Sequence, residues 1–173
     1  MDNKKRMMFS IDEDYYFISI KILIILGELK CYTTKLVDYR KLALIIEFIK
    51  NKENFELFKE LFLNDKKETI QKNKQILNIY FNASLNEPLI KKIILFLERK
   101  GLLELEKHNK FKSLDVKFIK NRKLENFLSE LIFDEDRERI VYIKNNLDRV
   151  KSIKYDTFIE KIFGSGEVSK WDI

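Results

Sequence analysis

Between Leu85 and Ile119 the chain carries a helix, a glycine and two short strands in succession. No other stretch restricts the fold as much. The helical run covers about Glu87 to Lys100, with Pro88 near its start, where a missing N–H costs nothing. Gly101 follows as a stop. Two strand-like runs come next, Leu102 to Lys107 and Ser113 to Ile119, joined by a polar tip of His108, Asn109 and Lys110.

Helix, glycine, strand, polar turn, strand is the order in which a winged helix presents its third helix and its wing. The face of that helix is also informative. At roughly 100° per residue, Leu89, Ile90, Ile93, Ile94, Phe96 and Leu97 form one apolar arc. Opposite the arc stands Leu95, flanked by Lys91, Lys92, Glu98 and Arg99. A helix that reads DNA needs donors and acceptors at the middle of its exposed face. A leucine there suits a protein partner, and the expected interface is Leu95, Lys91, Lys92 and Arg99.

The rest of the chain reads as helices. Asp12, Glu13 and Asp14 favour a helix start, after a basic, methionine-rich leader over Met1 to Ser10. The helix runs from Tyr15 to about Leu26, with Gly27 as its break, and is apolar nearly all round. Such a helix must be covered on most sides, by the chain itself or by another chain. At about 12 residues, with Lys21 inside, it is too short to span a bilayer. Thr33 and Thr34 are candidate caps for a helix from Lys35 to about Lys50. Shorter patterns cover Phe55 to Leu63 and Thr69 to Phe81, and Asn82 to Asn86 reads as a polar turn. Ser84 and Asn86 are caps available to the next helix. After the wing come helices over Leu124 to Phe133, from the Asp134–Asp136 cluster onward, and over Thr157 to Phe163, with Asp156 as cap and Gly164 as stop.

The expected fold is mainly α: a winged-helix core with a two-stranded β wing and additional flanking helices. It divides into an N-terminal helical part (1–82), the third helix and wing (83–123), and C-terminal helices with a tail (124–173). In the tail, Trp171 is either a docking anchor, since aromatic anchors dominate interface energies, or a side chain folded back on the domain.

The net charge of +6 is uneven. From Lys107 to Lys123 there are seven basic residues, Lys107, Lys110, Lys112, Lys117, Lys120, Arg122 and Lys123, against Asp115 alone, so this segment carries the whole excess. That strip is either a phosphate-contacting wing, giving nonspecific DNA contact, or a solvated basic face in a lysine-rich chain.

Chemistry is hard to assemble from these residues. The four glycines sit at breaks, with no G-K-S/T sequence to cradle a phosphate. The single histidine, His108, sits at a turn tip, and the single cysteine, Cys31, reads as a buried side chain. The acidic clusters fall at helix starts, so capping explains them better than a metal. The expectation is a non-enzymatic, cytoplasmic protein that needs no cofactor, no metal and no membrane.

Three stretches resemble the small middle component of ABC-three-component bacterial anti-phage defence systems, the group related to Lamassu. They are Tyr39-Arg40-Lys41-Leu42-Ala43-Leu44-Ile45-Ile46-Glu47-Phe48, Leu95-Phe96-Leu97-Glu98-Arg99-Lys100-Gly101-Leu102-Leu103-Glu104, and Ile159-Glu160-Lys161-Ile162-Phe163-Gly164. The resemblance spans about 15 to 165 and implies a non-catalytic adaptor. Such a subunit bridges an SMC-like or Rad50-like ATPase and an effector, often a nuclease, of the same operon. The competing reading is a homodimeric winged-helix transcriptional regulator. It would self-associate through Tyr15–Leu26 and hold phosphates with Lys110, Lys112 and Lys117.

Overall fold

The computed structural model describes residues 3–62, 70–108 and 113–164, with side chains for 15–61, 72–108 and 113–164. It is mainly helical with one two-stranded antiparallel sheet.

Helix α1, Asn3–Glu28, starts well before Tyr15. Asp12 to Asp14 therefore lie inside a helix and do not begin one. Neither glycine nor proline occurs between Asn3 and Leu26, so nothing interrupts the hydrogen-bond ladder. The end of the apolar half of α1 is covered from within the chain, whereas Tyr16 and Phe17 are exposed. Ile22 to Leu26 are buried, and four later helices and the second strand pack on α1. Lys21 is buried too, and its ammonium meets both carboxylate oxygens of Asp136 at 2.7 and 2.8 Å.

The stretch from Cys31 to Tyr39 is not the start of a helix, as the threonines suggested. It runs along a strand instead: Leu36 and Val116 exchange N–H···O bonds of 2.7 and 2.9 Å, and Tyr39 N–H donates to Leu114. Helix α2 begins only at Arg40 and ends at Ile49. The residue that shapes its entry is Asp38, at φ +65°, whose Oδ1 accepts from Arg40 N–H at 3.1 Å. Thr33 bonds back to the Lys30 carbonyl. Every residue of α2 from Lys41 to Ile49 is buried, so this helix is the axis of the fold. Helix α3, Lys52–Phe62, follows with Asn51 accepting from Asn54 N–H.

The largest departure from expectation is α4, one helix from Ile70 to Arg99. Asn82 to Asn86 are not a turn, and Ser84 and Asn86 cap nothing. The buried positions Ile76, Ile79, Ala83, Ile90, Ile93, Ile94 and Leu97 keep a three-four spacing straight through that region. Ala83 is fully buried, and Asn86 donates to Glu47 Oε1 on α2 at 3.1 Å. Pro88 is inside the helix but exposed. The Ser84 carbonyl loses its amide donor there, on a side open to water.

The end of α4 follows expectation. Gly101 has φ +71°, its N–H donates to Glu98, and Leu102 N–H reaches Leu97 at 3.0 Å, the paired bonds of a Schellman stop. Strands β1, Leu103–Lys107, and β2, Leu114–Phe118, pair antiparallel with Leu103 opposite Phe118 and Lys107 opposite Leu114. β2 thus lies between β1 and the Cys31–Tyr39 segment. Buried Asp115 joins the two, accepting from Asp38 N–H and pairing with Lys35.

Beyond the sheet, α5 is shorter than expected, Arg122–Leu128, with Asn121 Oδ1 as its cap. A 3-10 turn, Leu131–Phe133, interrupts it from α6, Asp134–Asn146. Helix α7, Tyr155–Phe163, begins two residues before the expected start and places Asp156 inside its first turn. Gly164, at φ +89°, ends it. The buried side chains form one continuous core.

Candidate interaction surface on helix α4

Because α4 is continuous, its outward residues line up over both halves. Phe81, Leu85, Pro88, Lys92, Leu95 and Arg99 are all exposed. At roughly 100° per residue they fall within about 40° of one line. The stripe is about 27 Å long at 1.5 Å per residue. Leu95, singled out by the sequence, is 38% exposed, but Phe81 at 52% and Leu85 at 77% present more apolar surface. Sequence reasoning missed both, because it broke the helix between them. The signal that would have found them is the unbroken three-four spacing of the buried face.

Lys91, Lys92 and Arg99 are exposed alongside and make no ion pair among the described residues. Phe96 was expected in the buried arc but is more than a third exposed, against the ring of Tyr15 at 5.8 Å and under Lys100. Trp171 lies outside the described residues.

The basic strip is brought together only in part. Lys107 is exposed at the end of β1, and Arg122 and Lys123 are exposed at the start of α5. Lys110 and Lys112 lie outside the described residues. Lys117 is opposite Glu104 on the neighbouring strand and pairs with it at 3.1 Å. Lys120 stands 3.8 Å from Glu125 and over the ring of Tyr32. Two cations of the strip therefore already face a protein carboxylate, which weakens its pull on phosphates.

The remaining charged groups serve the fold. Asp134, Glu135 and Asp136 at the start of α6 are engaged by Arg137, Arg139 and Lys21 respectively. Tyr155 donates to Glu87 at 3.4 Å, with the Arg40 guanidinium over its ring. Burial pushes the Tyr155 hydroxyl and the Glu87 carboxyl above their ordinary values. Burial also raises the Cys31 thiol to about 12, leaving it protonated and unreactive at neutral pH.

A second apolar patch was also unforeseen. Leu131 and Ile132, expected within a helix over Leu124 to Phe133, stand instead on a 3-10 turn and are strongly exposed, and Phe127 is exposed as well.

Among the described residues, no helix is long and apolar enough to cross a membrane, and no three His, Cys, Asp or Glu side chains are grouped to hold a metal. Comparison with protein-family models, curated proteins and solved structures finds no match for this chain.

Proposed function

We propose that this chain is a non-catalytic assembly subunit that docks a protein partner along the outward stripe of α4. The observation that carries the reading is the alignment of Phe81, Leu85, Pro88 and Leu95 on one exposed face. Large apolar groups collected on a soluble surface mark interaction sites. The resemblance of three stretches to the middle component of Lamassu-related defence systems gives the partner its class. It is an SMC-like or Rad50-like ATPase, with the chain linking it to an effector in a cytoplasmic bacterial anti-phage complex.

A winged-helix core accords with this role. Its support is the order α1, a strand-like segment bridged to β2, α2, α4, β1 and β2, with α3 as an insertion before the third helix. The regulator reading asks the third helix to present base-edge donors at the centre of its exposed face. Of the six residues on that line only Lys92 and Arg99 carry donors, and Phe81, Leu85, Pro88 and Leu95 occupy the rest.

The test is co-expression of the tagged chain with its neighbouring genes, followed by mass spectrometry and light scattering. A stoichiometric complex with a large coiled-coil ATPase is expected. Leu85→Asp and Leu95→Asp should each weaken it, and Leu85→Asp, at a side chain 77% exposed, should do so without changing the melting temperature. Burying such a leucine is worth about 1.5–3 kcal/mol, so each loss is at least about tenfold in affinity before the added charge is counted. A lone homodimer that binds one short duplex with steep salt dependence would overturn the reading.

A further inference from the structure

A cleft of about 440 Å³ opens where α2 and α3 meet the N-terminal half of α4. One of its lining residues is Glu47, only 2% exposed. Its Oε1 accepts from Asn86 at 3.1 Å and lies 3.7 Å from the Lys50 ammonium. Its Oε2 is buried with no hydrogen-bond donor among the described residues. A carboxylate oxygen withdrawn from water calls for a donor, and a charged one answers it best.

The rest of the lining fits a particular kind of donor. Glu53 adds a second carboxylate, and Asn78 and Asn82 add carboxamides on the exposed rim. Asn54 donates its Nδ2 to the Glu47 carbonyl at 2.8 Å, which leaves its Oδ1 as an acceptor. A guanidinium carries five N–H donors and no acceptor, and its planar fork suits a ring of carboxylate and amide oxygens. A divalent cation suits the cleft poorly, since it asks for about six oxygens packed around one point and only two carboxylates line the cleft. An anion would meet Glu47 directly.

We infer that the cleft between α2, α3 and α4 binds a guanidinium group through Glu47, either an arginine side chain of another protein or a free guanidine compound. The site is separate from the α4 stripe and does not depend on the partner assigned there.

The test is an NMR titration of the ¹⁵N-labelled full chain with two probes, N-acetyl-arginine amide and agmatine, with n-butylamine as control. Saturable shifts are expected in the side-chain amides of Asn54, Asn78, Asn82 and Asn86. Glu47→Gln should weaken binding at least tenfold. Should that variant fail to fold, the rim double variant Asn78→Ala/Asn82→Ala gives a second reading, with weakening of at least threefold. Tighter binding of the capped arginine identifies a protein side chain as the source, and tighter binding of agmatine a free guanidine; either supports the site. Absence of saturable shifts with both probes would overturn it. So would equal affinity in Glu47→Gln, or equal shifts from n-butylamine.

Discussion

Lys41 offers a direct measure of how the core is held. Its side chain is fully buried in α2, and its Nζ donates to the carbonyls of Val150, Lys151 and Ile153 at 2.8, 3.1 and 2.9 Å. An ammonium supplies three N–H groups from one atom, so one charged side chain secures the connection between α6 and α7. Lys41→Met keeps an unbranched apolar stem and removes all three donors. At about 1 kcal/mol for each carbonyl left without a partner, the loss is about 3 kcal/mol. A chain of this size shifts by about 2–4 °C per kcal/mol, so the melting temperature should fall by about 6–12 °C in a calorimetric scan. The pH dependence is a second, independent reading. Burial pushes the folded-state ammonium from 10.5 down to about 8. Between those values the unfolded chain binds more protons than the folded one, so stability rises with pH. Methionine does not titrate. The gap between wild type and variant should therefore widen from pH 8 towards pH 10.5, by up to about 3 kcal/mol. A melting temperature within about 2 °C of wild type would refute the role given to the three bonds. A gap that is flat or narrows with pH would refute burial as the dominant influence on Lys41.

Pro88→Ala restores an N–H for the Ser84 carbonyl inside α4 and should stabilise the protein by about 1–3 kcal/mol in urea unfolding; no change would place Pro88 at a helix start. Asp136→Asn strands the buried Lys21 ammonium and should cost about 3 kcal/mol or more, read from the denaturant midpoint, with a loss under about 1 kcal/mol contradicting the pairing. Cys31 should resist a thiol reagent at pH 8 in the folded chain and react only as urea opens the core, because its thiol is held up to about 12; rapid labelling without denaturant would refute that.

The elements with strong local signals were legible from residues alone. Gly101 stops α4 because only a residue at ease with positive φ closes that turn, and the two strands of the sheet start and end within a residue of expectation. Two of the failures share one cause, the weight given to polar residues as breaks. Asn82, Ser84 and Asn86 look like a turn, yet the buried spacing from Ile79 through Ala83 to Ile90 is helical and tertiary packing prevails. Thr33 and Thr34 look like caps, but Leu36 finds a backbone partner in Val116, eighty residues away and invisible to any local pattern. The interaction surface was half legible for the same reason: Leu95 was visible within one helix, whereas Phe81 and Leu85 join it only once the two helices are one. The cleft around Glu47 gave no signal at all, since it depends on three helices meeting.

The unbroken α4 has a consequence for how this chain tolerates change. One residue more or fewer between Ala83 and Ile90 turns one half of the helix by about 100° against the other. Ile90 and Ile93 would leave the core in the same movement that swings Leu95 off its line with Leu85. The interior and the exposed stripe are thereby locked to a single residue count. A change of seven residues is the shortest that restores the angle to within about 20°, so here the length of the chain is itself under structural control.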